Sequence, residues 1–187
     1  AHVSGEVDIE DLIPEEESVF TLTHAGYIKR QPSDTYQAQR RGGRGITALS
    51  RKDEDFVEEL FLASTHDYIL FVTDMGRVYR LKGYQVYEGS RTSRGVNIVN
   101  LLPLQDGEQV TSMLRVPEGA EGYLVMVTKR GIIKRTELSQ FANIRKSGLI
   151  AINLDEGDEL AWVRQTDGQS QLIVATKNGM AIRFVAG

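Results

Sequence analysis

Three short segments of this chain place arginine or lysine beside glycine, a combination suited to binding anions. They are QRRGGRG at 39–45, SRTSRG at 90–95 and IRKSG at 144–148, and their last glycines are spaced by 50 and 53 residues. Guanidinium and ammonium groups neutralise phosphate oxygens, and glycine lets backbone N–H groups approach the same anion closely. The pattern predicts a phosphate-binding surface at three equivalent positions.

A basic surface repeated in this way matches a phosphate backbone, which carries about one charge per 1.7 Å of duplex axis. No helix for reading base edges is evident beside the segments, so we expect sequence-tolerant binding that reads backbone and bendability. A solvated charged loop is the simpler interpretation of any one segment, but three copies in register favour binding. The candidate binding residues are Gln39, Arg40, Arg41, Gly42, Gly43, Arg44, Gly45, Arg91, Arg94, Arg145 and Lys146.

The other residues capable of chemistry do not form a recognisable active site. The absence of cysteine excludes disulfides, thiolate metal sites and a cysteine nucleophile. His2, His24 and His66 occupy non-equivalent positions, and the motifs HExxH, GxSxG and the P-loop are absent. The acidic stretch EGDE at 156–159 is typical of a turn. We therefore predict no catalytic residue, no metal and no cofactor in this chain.

Charge is distributed unevenly along the 187 residues. The net charge is −4, yet seven acidic residues fall within 1–17 and the first basic residue is Lys29. We predict an acidic linker or leader over 1–17, solvated or in contact with another domain, before a mildly basic body over 18–187. No apolar run is long enough to cross a bilayer.

A second repeated pattern predicts four β-hairpins. TLTHAGYIKR, FVTDMGRVYR, MVTKRGIIKR and VATKNGMAIR share the frame T-x-x-G-x-x-x-R, with glycines spaced by 50, 55 and 48 residues. An apolar run, two turn residues and a glycine are typical of a type I turn closed by a residue with positive φ. The predicted hairpins are 19–30, 69–82, 123–136 and 171–184, with turns at 23–26, 73–76, 128–131 and 176–179. We expect the recurrent Arg30, Arg80, Arg135 and Arg183 to pair with carboxylates at a blade edge rather than to contact a ligand directly.

These patterns together predict the fold. Each basic segment is followed by an apolar strand and then by a further strand, so one repeat holds four short strands in about fifty residues. All-β repeats of this length are typical of propeller blades. We predict an all-β, propeller-like structure with at least twelve strands, an incomplete set of about four blades and no helix longer than two turns.

The same residues resemble a known family. QRRGGRG closely resembles the box motif of the C-terminal domain of the DNA gyrase A subunit, with Arg44 where the usual box has lysine. EDLIPEEE at 10–17, TLTHAGYIKR, EGSRTSRG at 88–95, NIVNLLPL at 97–104 and GLIAINLDEGDEL at 148–160 are similar to the same domain. The resemblance therefore covers the whole chain.

The resemblance implies a β-pinwheel, a disc of usually six blades that exchange strands, with duplex DNA wrapped round its outer edge. It also implies a non-catalytic domain of an ATP-dependent type IIA topoisomerase, located in the cytoplasm with the nucleoid. Its partners would be double-stranded DNA, the catalytic core and the gyrase B subunit, with ATP and Mg²⁺ used elsewhere in the enzyme. Two alternatives remain open: a protein-docking scaffold with no DNA role, and an RGG-like segment that binds RNA.

Overall fold

The computed structural model describes residues 9–41, 55–166, 171–175 and 181–185, and β-strands are the predominant regular structure of these ranges. Thirteen strands are present there, which confirms the all-β prediction. The strands are β1 Glu17–Thr23, β2 Tyr27–Pro32, β3 Val57–Ser64, β4 Tyr68–Thr73, β5 Arg77–Lys82, β6 Val96–Asn97, β7 Val110–Val116, β8 Tyr123–Thr128, β9 Ile133–Glu137, β10 Leu149–Ile150, β11 Leu160–Thr166, β12 Gln171–Ala175 and β13 Ala181–Val185. Short 3₁₀ helices occupy Ile9–Leu12, Gly83–Gln85, Ile98–Asn100 and Leu138–Phe141.

Three hairpin turns have the geometry that the sequence predicts. The turn glycines Gly26, Gly76 and Gly131 each donate their backbone N–H to the carbonyl of the threonine three residues earlier, at 3.0 Å. Their φ angles are 92°, 78° and 89°, a region that glycine adopts without steric cost. The predicted turn at 176–179 lies outside the described residues, although β12 and β13 on either side of it pair antiparallel.

The threonine of the repeated frame stabilises each turn through its side chain. The Oγ1 atoms of Thr23, Thr73 and Thr128 accept the backbone N–H four residues later, at 3.1, 3.3 and 3.0 Å. A hydroxyl at this position satisfies a donor that the turn would otherwise leave unpaired. The recurrence of threonine follows from this bond.

A recurrent carboxylate, which the sequence pattern does not reveal, completes the same three turns. Asp55 accepts the Ala25 backbone N–H at 2.9 Å, and Asp158 accepts the Arg130 backbone N–H at 3.1 Å. Glu108 accepts the Thr73 hydroxyl at 2.7 Å. These three acids stand shortly before β3, β7 and β11, so each ties the start of that strand to the preceding hairpin.

Strands are exchanged between repeats. The first sheet has the order β3-β1-β2-β6 and the second has the order β10-β5-β4-β7. The two-residue strand β6 pairs with β2, and β10 pairs with β5. The basic segments 90–95 and 144–148 lead directly into β6 and β10, so each segment is anchored to a hairpin of the preceding repeat. The remaining sheets have the orders β11-β8-β9 and β12-β13.

The chain forms two compact units, one of Ala1–Tyr68 with Leu81–Leu101 and one of Ile69–Arg80 with Leu102–Gly187. In the first unit Phe20 and Ile28 are fully buried, and the Phe20 and Phe61 rings lie 5.8 Å apart between centroids. In the second unit a continuous apolar cluster joins strands of its successive sheets. Its members include Leu70, Val72, Val78, Leu124, Met126, Phe141, Leu160 and Val163.

The prediction that no helix exceeds two turns is wrong, because α1 spans Ser33–Arg41. Nine residues make about two and a half turns. The helix follows Pro32, carries Asp34 in its first turn and ends on Arg40 and Arg41, an arrangement that complements the helix dipole. It lacks a long apolar stripe, so hydrophobic periodicity does not reveal it. No helix in the described ranges is both long and apolar enough to cross a membrane.

The recurrent arginines fix the exchanged segments. Arg30 lies 3.5 Å from Glu16 between Nη1 and Oε1, as expected for pairing with a carboxylate, and its Nε donates to the Val86 carbonyl at 2.9 Å. Arg80 donates to the carbonyls of Phe141 and Ala142. Both arginines thus bind the chain at the C-terminal end of a 3₁₀ helix of the next repeat. The exposed Arg135 instead lies over the Tyr123 ring, and the side chain of Arg183 is outside the described set.

The described part of the acidic leader, residues 9–17, is mostly exposed and is bonded to other residues of the first unit. The Lys82 ammonium lies 3.1 Å from Glu10 Oε1, and the Ser64 hydroxyl donates to Glu15 at 3.0 Å. The backbone N–H of Glu16 donates to Thr65 Oγ1 at 3.1 Å. These bonds fix the course of the chain into β1.

Candidate nucleic-acid interface

Four of the predicted cations have described side chains, and all four are exposed. They are Arg91 and Arg94 in the first unit, and Arg145 and Lys146 in the second. Gln39, Arg40 and Arg41 lie in the last turn of α1 rather than in a loop, and only their backbone is described. Gly42, Gly43, Arg44 and Gly45 lie outside the described residues, so the predicted role of the box stays a prediction.

The segment 90–95 forms a tight loop against β2. The Ser93 backbone N–H and hydroxyl both donate to the Ser90 carbonyl, at 3.2 and 2.9 Å. Gly95 has a φ of 96°, and a Cβ placed there would lie 2.5 Å from the Ile28 carbonyl oxygen. Glycine is therefore required both for the backbone conformation and for the close approach to β2.

Lys29 of β2 lies under this loop, although its position in the sequence does not suggest it. Its Nζ donates to the carbonyls of Ser90 and Ser93, both at 2.9 Å, and more weakly to that of Arg91 at 3.4 Å. Burial lowers the pKa of Lys29, since desolvation disfavours the ammonium form. The repeated frame gives no signal for this role, because the residue three positions after the turn glycine varies between repeats: Lys29, Tyr79, Lys134 and Ile182.

The two arginines of the loop differ in their surroundings. The Arg94 guanidinium carbon lies 4.0 Å from the centroid of the Tyr27 ring, a cation–π contact that fixes its orientation. Burial alone would raise the pKa of the nearby Asp55 carboxyl, but hydrogen bonds from Ala25, Thr23 and Phe56 lower it below its ordinary value, and the charge of Arg94 adds to the lowering. The Arg91 side chain makes no hydrogen bond or ion pair with another described residue.

The segment 144–148 forms the corresponding loop against β5. The Gly148 backbone N–H donates to the Arg145 carbonyl at 2.8 Å, and Arg77 Nη1 donates to the Ser147 carbonyl at 3.2 Å. A Cβ on Gly148 would lie 2.8 Å from Cε1 of Tyr79, so the glycine packs on that ring. The side chains of Arg145 and Lys146 make no hydrogen bond or ion pair within the described ranges.

The buried Glu108 fixes the position of Tyr79. The Tyr79 hydroxyl donates to Glu108 Oε1 at 2.9 Å. Burial raises the pKa of Tyr79, and the hydrogen bond and charge of Glu108 raise it further, whereas Arg77 opposes the shift. The network holds the ring against Gly148, so the second loop also has a fixed base.

Each loop therefore combines exposed positive charge with a fixed backbone, an arrangement suited to an anion. Both present two exposed cations on a backbone held by hydrogen bonds, and the cations at their surface are not engaged in ion pairs with described acids. Within the described residues, no group of three or more His, Asp or Glu side chains could hold a metal ion. The chemistry that these loops support is charge neutralisation of phosphate oxygens.

Comparison with known proteins identifies relatives over the whole chain. The DNA gyrase C-terminal domain family, described as a beta-propeller, matches residues 17–64, 67–117, 122–167 and 170–187. The DNA gyrase A subunit of Clostridium acetobutylicum is 54% identical over 181 residues, covering 96% of this chain and 22% of that protein. Its counterpart in Halalkalibacterium halodurans is 53% identical over 176 residues, covering 94% and 21%. The chain thus spans about a fifth of the length of these relatives.

Solved structures are similar in fold. The C-terminal domain of DNA topoisomerase IV matches with a TM-score of 0.76 and 27% identity, covering 93% of this chain and 53% of that one. The DNA gyrase A C-terminal domain matches with a TM-score of 0.64 and 25% identity, covering 91% and 55%. Both matches agree with an all-β arrangement of successive blades.

Proposed function

The chain belongs to the DNA gyrase C-terminal domain family, and we propose that it binds duplex DNA on its basic loops and bends it. The observation that carries the proposal is that the same basic loop occurs in two successive repeats. Two successive repeats each place a loop of two exposed cations, closed by a glycine of positive φ, on the preceding hairpin. A charged loop kept only for solubility would need neither a fixed backbone nor a fixed position.

The loops are better suited to binding the phosphate backbone of any duplex than to recognising a specific base sequence. Their cations reach outward without a groove-reading helix, so they would contact phosphate groups and leave base edges unread. Bending about 20–30 base pairs by 40–90° costs on the order of 1–6 kcal/mol. Several phosphate contacts in series are needed to offset that cost, and repeated blades supply them.

In the whole enzyme, we propose that this bending is the DNA wrapping step of a gyrase. The segment 39–45 would clamp one end of the wrapped DNA, through Arg40, Arg41 and Arg44. The wrap would return a DNA segment to the catalytic core, where strand passage uses ATP bound by the gyrase B subunit together with Mg²⁺. This domain would be non-catalytic and would act in the cytoplasm at the nucleoid.

Salt dependence of duplex binding tests the proposal. If about five phosphates are neutralised, the logarithm of the association constant should fall with the logarithm of salt concentration at a slope of about −4 to −5. Replacing Arg91, Arg94, Arg145 and Lys146 with alanine should flatten this slope and weaken binding equally across sequences. An unchanged slope would place the DNA contact elsewhere.

A matched comparison separates loop cations from cations in general. The pair Arg91→Ala with Arg94→Ala removes two charges from one loop. The pair Arg115→Ala with Lys129→Ala removes two exposed charges outside both loops. We expect the first pair to flatten the slope more than the second, since only the first removes proposed phosphate contacts. Equal effects on the slope would mean that the loop cations contribute only as part of the overall positive charge of the chain.

The scaffold alternative has less support. Its simplest form joins the acidic leader to the basic loops, but Glu10 and Glu16 pair with Lys82 and Arg30 instead. A basic surface that docks an acidic protein would also lack preference for duplex over single-stranded nucleic acid. Comparison of the two forms of DNA at one salt concentration would therefore distinguish the scaffold and RNA-binding alternatives from duplex wrapping.

A further inference from the structure

The loop at 90–95 is built around a single lysine of the neighbouring strand. Three of its carbonyl groups, from Ser90, Arg91 and Ser93, converge on Lys29 Nζ at 2.9, 3.4 and 2.9 Å. A lysine ammonium has three donors, so these three acceptors use its full capacity. Lys29 therefore has no donor left for a phosphate while the loop keeps this form.

The loop also packs closely on the stem of Lys29. A Cβ on Gly89 would lie 3.1 Å from Lys29 Cδ, and a Cβ on Gly95 would lie 3.2 Å from Lys29 Cβ. Glycines at both ends thus allow the chain to close over the lysine. The lysine is half-buried, and its lowered pKa agrees with this enclosure.

Enclosure of the lysine decides which way the loop faces. Because the carbonyl groups of residues 90, 91 and 93 point inward at Nζ, the Arg91 side chain projects to solvent, while Arg94 lies over Tyr27. The backbone of a loop closed in this way needs no further ordering when it meets an anion. Ordering of a flexible loop otherwise reduces affinity.

We propose that Lys29 is a positioning residue: it holds the 90–95 loop closed by binding its carbonyl groups, and so presents Arg91 and Arg94 to a DNA phosphate backbone. The inference rests on the proposed function for its DNA-facing part. It assigns to one basic residue a role that is opposite in kind to that of its neighbours, since Lys29 binds the protein and the arginines bind the ligand.

The other repeats support the distinction. The residue three positions after the turn glycine is Tyr79 in the second hairpin, where the ring packs on Gly148 and supports the loop without a charge. In the third hairpin it is Lys134, which is exposed. Lys134 therefore offers a matched control, being a lysine at the same frame position that encloses no described loop.

The test compares Lys29→Met with Lys134→Met in the 187-residue chain. Hydrogen exchange of the Ser93 backbone amide, which bonds the Ser90 carbonyl, reports loop closure without DNA. We expect Lys29→Met to accelerate this exchange at least about tenfold and to weaken duplex binding about tenfold, with the salt slope unchanged. Lys134→Met should leave Ser93 exchange unchanged.

Other outcomes overturn the inference. A slope shallower by about 0.9 with unchanged Ser93 exchange would mean that Lys29 contacts a phosphate directly. If Lys29→Met accelerates Ser93 exchange but binds duplex DNA as tightly as the unmodified chain, Lys29 does not position the loop for DNA. If Lys29→Met fails to fold, Lys29→Arg serves instead. It keeps the charge but fits three converging carbonyls less well, so Ser93 exchange should still accelerate.

The two proposals fail in distinguishable ways. If the unmodified chain does not bind duplex DNA, the proposed function is wrong, and the DNA-facing part of this inference falls with it. Ser93 exchange in Lys29→Met then still decides whether the lysine holds the loop. If the chain binds DNA normally and both measurements are unchanged in Lys29→Met, only the inference about Lys29 is wrong.

Discussion

Basic residues in the described part of this chain fall into two groups, and burial separates them. Lys29, Arg30 and Arg80 bind backbone carbonyl groups of the next repeat, so their charge stabilises the fold. Arg91 and Arg145 are exposed and make no ion pair with the described acids. A hydrogen bond from a charged donor contributes about 1.5–3 kcal/mol when it replaces water in a protected site. Mutation of the first group should therefore affect the fold, and at Lys29 it should affect binding only through the position of the loop. Mutation of the second group should affect binding directly.

Asp158 gives a residue-scale prediction about pH. Burial raises the pKa of this carboxyl, but hydrogen bonds from Thr128 and from the backbone N–H groups of Glu159 and Arg130, with the charge of Arg130, outweigh it. The folded-state pKa therefore lies below the ordinary value of 3.8. A carboxyl with a lowered pKa contributes stability above its unfolded pKa and loses it as pH falls through the folded pKa.

We therefore expect Asp158→Asn to be less stable than the unmodified chain at neutral pH, with the difference shrinking on acidification below about pH 4. Urea unfolding of both proteins from about pH 7 to pH 3 measures that difference while common titrations cancel. Glu156→Gln, at an exposed acid of the same stretch, is the control and should change little. A difference that grows on acidification would contradict the assignment.

At the scale of elements, each described basic loop depends on a hairpin of one repeat and on the strand that the next repeat adds to it. The turn is set locally by threonine and glycine, whereas the outer strand arrives from the next repeat and carries the basic loop with it. Gly95 stands where loop and strand meet, and Ile28 lies directly beneath it. The position of the cations thus depends on a close backbone contact rather than on the cations themselves.

Gly95→Ala should therefore both destabilise the chain and weaken DNA binding. The new Cβ would lie 2.5 Å from a backbone oxygen, which cannot move aside as a side chain could. Gly107→Ala is the control, because Gly107 also has positive φ, 78°, but no atom lies within 4 Å of its Cβ position. We expect Gly107→Ala to cost about 1 kcal/mol in unfolding free energy and Gly95→Ala at least about 2 kcal/mol. Equal losses in urea unfolding would show that the strand moves without cost.

At the scale of the whole molecule, wrapping requires contacts along an arc, so its two ends matter most. Loss of an end contact releases the last segment of bent DNA, whereas the inner contacts still hold a short duplex. The segment 39–45 is the first of the three basic segments in the chain. Its proposed role as a clamp therefore predicts a larger effect on wrapping than on affinity.

Replacing Arg40, Arg41 and Arg44 together with alanine should leave the β-fold intact and lower affinity for short linear DNA only modestly. In the full enzyme with the gyrase B subunit, we expect loss of ATP-driven negative supercoiling with relaxation retained. A plasmid topology assay with and without ATP measures both activities, and circular dichroism checks the fold. Supercoiling at the unmodified rate would show that the segment is not a clamp.

The three described hairpin turns could be predicted from the local sequence. Thr23 and Gly26 form a turn because all its requirements lie within five residues. They are the hydrogen bond from the Gly26 N–H to the Thr23 carbonyl, the bond accepted by the Thr23 hydroxyl and the positive φ of Gly26. Such bonds need no distant partner, so the repeated frame is sufficient to predict them. The exposed cations Arg91, Arg94, Arg145 and Lys146 were also predictable, because a charged segment with glycine favours the surface.

Which cations face the protein depends on contacts between distant parts of the folded chain. Lys29 and Arg91 are both basic residues beside polar neighbours in the sequence, yet Lys29 is enclosed by carbonyl groups up to 64 residues away. Arg30 binds Val86, 56 residues away, and β6 returns to β2 across a similar distance. Local sequence cannot encode these choices, because the free energy of enclosing a charge depends on acceptors that only the folded chain brings to it.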